Sequence, residues 1–264
     1  MKIPLYQIDA FTSRVFGGNP AAICPVAGWL DDATMQAVAS ENNLSETVFF
    51  VPKGGDFDIR WFTPAAEIDL AGHPTLATAY VVLEILEPKR RSVRFHTRKS
   101  GTLTVMREAD GRLAMDFPSQ PPAPRPGFGD MAAALGAKPD EVLAARDGFA
   151  VFAREEAVRD LAPDFAKVAA LDCLGVIATA PGRPGSGVDF VSRFFAPRHN
   201  INEDPVTGSA HCTLIPYWSR RLGKASLFAR QISKRGGELW CEDRGERVTI
   251  AGYCARFMEG TISL

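Results

Sequence analysis

The chain reads as an α+β protein of two pseudo-symmetric lobes, and three observations lead there. First, a glycine turn occurs twice, as Asp69-Leu70-Ala71-Gly72-His73-Pro74-Thr75 and as Asp204-Pro205-Val206-Thr207-Gly208-Ser209-Ala210-His211. Second, each turn follows an extended apolar segment ending in Phe-x-Pro (Phe62-Thr63-Pro64 and Phe195-Ala196-Pro197) and opens an Ala-rich run of helical character. Third, the proline-rich stretch 118–127 can join neither a helix interior nor a sheet ladder, so it separates the halves. The expected lobes are residues 1–118 and 119–264, with the final strand free to pack back on the first.

The elements repeat in order. In the first half, Asp31 is placed to cap a run carrying Met35, Val38 and Ala39 on one face, which stops near Asn42-Asn43. Strands are expected at Val48–Val51 and Asp58–Phe62, then the glycine turn and its helix. In the second half, a run with Phe165, Val168 and Ala169 is followed by strands at 175–178, 188–191 and 194–197, then the second turn. Similar elements at one offset point to an internal duplication. Each half then enters a hairpin, one around Asp110-Gly111 and one around Asp243-Arg244-Gly245, and a last strand covers 255–264. Each lobe is thus expected to be a mostly antiparallel sheet wrapped around a central helix, with a small-molecule cleft between the lobes.

Composition bounds the function. With 264 residues, 46% hydrophobic and 23% charged, and a net charge of −1, the chain has ample core material and no electrostatic bias toward nucleic acid or an anionic membrane. The most apolar helical stretch, Leu76–Leu86, is interrupted by Glu84 and too short to span a bilayer. The N-terminus lacks the apolar core and cleavage site of a secretory signal. The five cysteines show no CxxC pairing, which predicts neither disulfides nor a zinc site and fits a reducing, cytoplasmic setting. The four histidines show no metal-ligand spacing, so no metal is expected.

A helix N-terminus presents unpaired N–H groups and partial positive charge, so the two glycine turns are expected to bind a small anion. Glu46 enters an apolar strand. It is either a solvated edge residue or a buried carboxylate whose pairing or raised pKa suits acid–base work. His73 is either a packed cap or a donor to a substrate oxyanion. Pro74 fits the first helical position and removes one donor, leaving the N–H groups of Gly72, His73 and Thr75. Asp204 is either a turn residue or a second catalytic carboxylate, and Ser209 either a helix-start hydroxyl or a donor to ligand, beside Gly208. Cys212 falls inside a helical run with no base nearby and reads as a packing residue. Gly17-Gly18-Asn19-Pro20 lacks nucleotide-loop spacing and reads as a turn.

Together these segments resemble the PhzF-like (phenazine-biosynthesis-like) family of the diaminopimelate-epimerase fold. The matching stretches are Ile8–Phe11 through Gly17–Ala22, Asn43–Thr47, Arg60–Pro64 through Gly72–Thr75, and Glu203–His211. The resemblance implies a homodimer and an isomerase without metal or organic cofactor. It carries the family's catalytic glutamate onto Glu46, further site positions onto His73, Asp204 and Ser209, and a cleft contact onto Asn19. Epimerase relatives place a cysteine before each glycine turn. Here Ala71 and Asp204 stand there, so two-thiol epimerisation is not available.

The function expected is a cofactor-independent isomerase. Glu46 moves a proton within a small carboxylate-bearing, cyclic or unsaturated substrate, with His73 and Asp204 assisting and Asn19, Gly72, Thr75, Gly208 and Ser209 binding. The alternatives are a two-base racemase of an amino-acid-like substrate using Glu46 and Asp204, and a small-anion-binding protein without chemistry.

Overall fold

The computed structural model describes residues 1–125 and 129–264. Of the expected proline-rich linker, Pro126 and Gly127 lie outside the described residues. The chain divides into two compact units, Met1–Asp116 with Ala251–Leu264, and Phe117–Ile250.

The first unit begins with β1 (Lys2–Ala10), which pairs antiparallel with β2 (Asn19–Pro25). Helix α1 (Asp32–Asn42) starts where Asp31 accepts from the Thr34 N–H at 2.9 Å and ends at Asn43 in the left-handed region, φ 49°. Asparagine tolerates that conformation because its short polar side chain bonds locally. The reversal delivers the chain into β3 (Glu46–Lys53), which runs parallel to β2 with Ala21 opposite Glu46. Next come β4 (Asp56–Phe62) and β5 (Glu67–Ile68), both antiparallel additions. Helix α2 (Gly72–Tyr80) follows and runs into a π-helical turn, Val81–Leu86. β6 (Ser92–His96), β7 (Thr102–Arg107) and β8 (Leu113–Pro118) complete the run, with β7 and β8 as the hairpin expected around Asp110-Gly111.

From His73 to Ala79 every residue of α2 is buried, against β1, β2, β3 and the C-terminal strand Cys254–Ser263. That burial explains why the helix is apolar all round. The C-terminal strand pairs with β1 along its whole length, Lys2 opposite Ser263 to Ala10 opposite Cys254. Residues 251–264 therefore belong to the first unit, and the second ends at Ile250 rather than at the C-terminus.

In the second unit, α3 (Met131–Leu135), β9 (Glu141–Ala144), β10 (Gly148–Val151), α4 (Glu155–Arg159) and α5 (Phe165–Ala170) precede β11 (Val176–Pro181) and β12 (Phe190–Ala196). The two strands expected at 188–191 and 194–197 are this single β12. Ser192 and Arg193 look like a polar break, yet they pair with Thr179 and Ala178. Arg193 is accommodated by a two-pronged ion pair with Glu203 (2.7 and 2.9 Å) and three backbone carbonyls. β13 (Ile201–Asp204) leads to α6 (Gly208–Leu222), which packs on β14 (Ser226–Gln231) and β15 (Gly237–Asp243); β16 (Arg247–Gly252) follows. A core of Leu135, Phe152, Val158, Val176, Val191 and Phe195 holds the shorter helices to their strands.

Gly18 fixes the entry to β2. Its φ is +61°, and a Cβ there would meet the Ala10 carbonyl oxygen at 2.1 Å. Left-handed backbone alone costs an L-residue about 1–2 kcal/mol, so Gly18→Ala is expected to lower stability by more than ~2 kcal/mol in thermal or denaturant unfolding. Gly28→Ala, where nothing lies within 4 Å, is expected to be neutral.

Candidate functional site

Glu46 is the first residue of β3 and only 8% exposed, which settles its two sequence readings in favour of the buried carboxylate. Its Oε2 lies 3.1 Å from Nε2 of His73, itself 5% exposed. Burying a carboxylate is costly unless a partner offsets the lost hydration, and His73 is that partner. The two atoms sit at ion-pair distance without hydrogen-bond alignment. Catalytic contacts often tighten only around substrate.

His73 owes its position to α2. Ala71 is the N-cap and no side chain caps the helix. Pro74 therefore stands third in the helix, not first. The N–H groups of the opening helical turn proper belong to Gly72 and His73, since proline has none. Thr75 is a correction to the binding set. Its N–H is the one that reaches the N-cap carbonyl, and its hydroxyl donates to the same Ala71 oxygen at 2.6 Å. Fully buried, it holds the turn together instead of facing a ligand.

Asn19 also departs from its expected role. It is 0% exposed, its Nδ2 meets His73 Nδ1 at 3.2 Å, and its Oδ1 accepts from Ser45 Oγ at 3.2 Å. It stands on the Nδ1 side of His73, the side of the ring away from Glu46. The order is thus Ser45, Asn19, His73, Glu46, drawn from three separate places in the sequence, since Ser45 and Glu46 are neighbours.

In the second unit Asp204 ends β13 and is 9% exposed. Thr207, not Asp204, is the N-cap of α6; its hydroxyl donates to Asp204 Oδ2 at 2.5 Å and so does not cap the helix. Gln231 clips the turn: its Nε2 donates to the Asp204 carbonyl at 2.7 Å and its Oε1 accepts from the Thr207 N–H at 2.8 Å. Gly208 is buried and Ser209 half-buried at the helix start. Arg146 donates to Ser209 Oγ at 2.9 Å, leaving the serine hydroxyl proton free to donate elsewhere.

Arg146 and Gln231 are functional candidates that the sequence reading missed. Arg146 also donates to Asp147 Oδ2 at 2.9 Å; Asp147 is 2% exposed, and burial pushes its carboxyl above the ordinary range. Arg146-Asp147-Gly148 looks like any polar turn, and nothing local links it to Ser209. For Gln231 no local signal was available, since it ends a strand that already carries Ser226 and Arg230.

All five cysteines have thiol pKa values raised by burial, with Cys24 and Cys212 pushed up to about 12. None is a thiolate near neutral pH, and Cys212 is 5% exposed in the packed face of α6. Among the described residues no group of His, Cys, Asp and Glu is arranged to hold a metal ion, and no helix is long and apolar enough to cross a membrane. A separate depression beside Arg60, Glu67, Arg98 and Lys99 is walled by ion pairs, Arg60–Glu67 at 2.6 Å, Arg98–Glu67 at 3.3 Å and Lys99–Asp69 at 3.0 Å. It carries no acid–base pair.

Residues 8–260 match the family described as phenazine biosynthesis-like protein. The chain belongs to this family. Two uncharacterized isomerases of Pseudomonas aeruginosa are each 50% identical to it across the whole of both chains. The crystal structure of an Enterococcus faecalis protein of the PhzF family superposes with a TM-score of 0.95 at 46% identity, covering all of both chains. A protein of Pseudomonas aeruginosa described as a predicted epimerase shares the fold at a TM-score of 0.77 and 21% identity, over 98% of this chain and 99% of that one. With these relatives, this member of the phenazine biosynthesis-like family is an enzyme of the isomerase class.

His211 supports the second turn from inside. It is fully buried, its Nδ1 donates to the Thr207 carbonyl at 2.9 Å, and burial lowers its pKa from 6.5 to about 4. The folded value lies below the unfolded one, so acid favours the unfolded chain. The stability is complete above pH 6.5 and lost as pH falls toward 4. At 1.36 kcal/mol per pKa unit the loss approaches about 3 kcal/mol. Unfolding midpoints measured from pH 8 to pH 4.5 are expected to fall more steeply in the natural chain than in His211→Leu.

Proposed function

We propose that the protein catalyses a proton-shifting isomerisation of a small carboxylate-bearing, cyclic or unsaturated substrate, with Glu46 as the base. The observation that carries this reading is a buried carboxylate held 3.1 Å from a histidine at the uncapped start of a helix. Glu46 takes a proton from one carbon and returns it to another. Electron density displaced in the first step develops negative charge on the substrate. The N–H groups of Gly72 and His73 and the imidazole N–H are donors for that charge, each worth about 3 kcal/mol of barrier in comparable sites.

Gly208 and Ser209 open a second helix without a side-chain cap, a start of the same kind. Asp204 assists by keeping that turn in shape, because its carboxylate accepts from Thr207 and its carbonyl from Gln231. This tethering favours a holding role over that of a moving base, and so favours isomerisation over the two-base racemase reading. The protonated, buried Cys212 has no part in the chemistry.

The test is solvent-deuterium incorporation into a panel of small ring and unsaturated carboxylates, followed by NMR. Glu46→Gln is expected to retain its unfolding midpoint and lose roughly 10²–10⁴ of the exchange rate, the usual worth of a positioned base. Cys212→Ala is expected to exchange at the natural rate. Full exchange in Glu46→Gln, or its loss in a folded Cys212→Ala, would overturn the scheme.

A further inference from the structure

We infer that Asn19, oriented by Ser45, locks His73 as a neutral imidazole with its proton on Nε2, and so makes it a fixed hydrogen-bond donor beside Glu46. The inference rests on the Glu46 reading above and adds to it a positioning residue and a defined protonation state.

The argument follows from which atoms can donate. His73 meets Asn19 Nδ2 through Nδ1 at 3.2 Å and Glu46 Oε2 through Nε2 at 3.1 Å. An amide NH₂ group only donates, so the ring nitrogen facing it presents a lone pair. The amide could reverse if its oxygen had no call on it. Instead Ser45 Oγ donates to that oxygen at 3.2 Å, and Asn19 is wholly buried, so neither end can turn to water. Nδ1 is thereby an acceptor, and the single proton of the neutral ring sits on Nε2.

A carboxylate next to an imidazole ordinarily draws a second proton onto the ring. Here a proton on Nδ1 would point at the NH₂ group of Asn19, and relieving that clash requires the buried amide to reverse and the Ser45 hydroxyl to turn from donor to acceptor. The arrangement therefore resists the imidazolium form that Glu46 alone would favour. A neutral N–H donor polarises a developing oxyanion without surrendering its proton. The Nε2 side of the ring is the side that faces Glu46, at 3.1 Å.

The same account explains the Gly17-Gly18-Asn19-Pro20 turn. Asn19 opens β2 opposite Ala10, and only a glycine fits before it. The turn serves to bring one amide to the back of one imidazole.

The experiment is a two-bond ¹H–¹⁵N correlation spectrum of the ¹⁵N-histidine-labelled protein at pH 7.5, with His73 assigned from its absence in His73→Gln. The expected pattern for His73 is a protonated Nε2 and an unprotonated Nδ1. A proton on Nδ1, alone or together with Nε2, would overturn the proposal, and this readout needs no variant to fold. Asn19→Asp keeps the shape but replaces the NH₂ with an acceptor. His73 in that variant is expected to become doubly protonated at pH 7.5, and deuterium exchange to fall by roughly 10²-fold or more, as tautomer errors do elsewhere. A folded Asn19→Asp in which the ring stays singly protonated on Nε2 would also sink the idea. The outcomes separate from the function itself: the tautomer is read without turnover, whereas the base assignment fails only if Glu46→Gln still exchanges.

Discussion

A carboxylate removed from water must be met by something, and in this protein the burial of Glu46 organises what surrounds it. The strand that carries it is apolar on both sides, so hydration is not available once the sheet forms. His73 provides the compensation, and His73 can do so only if α2 begins at Gly72. The helix begins there because Thr75 closes its first turn onto Ala71 and because every later residue to Ala79 is buried in the sheet. One local electrostatic demand thus depends on the packing of an entire unit.

The second unit meets a different demand with different residues. Asp204 accepts from Thr207, Gln231 clips the turn, and no side chain caps the start of α6. His211 fastens the same turn from below through the Thr207 carbonyl. The first turn places an acid–base pair at a helix start; the second places a rigid frame there, with Arg146 supporting Ser209. The chain belongs to the phenazine biosynthesis-like family and to the isomerase class.

Two chemical alternatives are judged by the same electrostatics. Thiol chemistry needs a thiolate, and burial keeps every cysteine of this chain protonated. The absence of cysteines before the glycine turns pointed the same way, and the thiol environments supply the physical reason. Asp204, the carboxylate of the second turn, is held through both its side chain and its backbone.

The amino-acid sequence by itself determined the local grammar: the capped start and left-handed end of α1, the hairpin at Asp110-Gly111, the glycine turns and the helices that follow them. Those features depend on a few neighbouring residues, so spacing and residue type suffice to read them. It also marked Glu46, His73, Asp204 and Ser209, because charged or polar groups at strand starts and helix starts are costly anywhere else. Tertiary structure alone decided which groups meet. Ser45 reaches Asn19, Arg146 reaches Ser209, Gln231 spans the Asp204 turn, and the C-terminal strand pairs with β1, all across separations that no local pattern encodes. The same packing buries Asn19 and Thr75 against protein partners. A hydrogen bond has a short range and a direction, and only the folded chain fixes both.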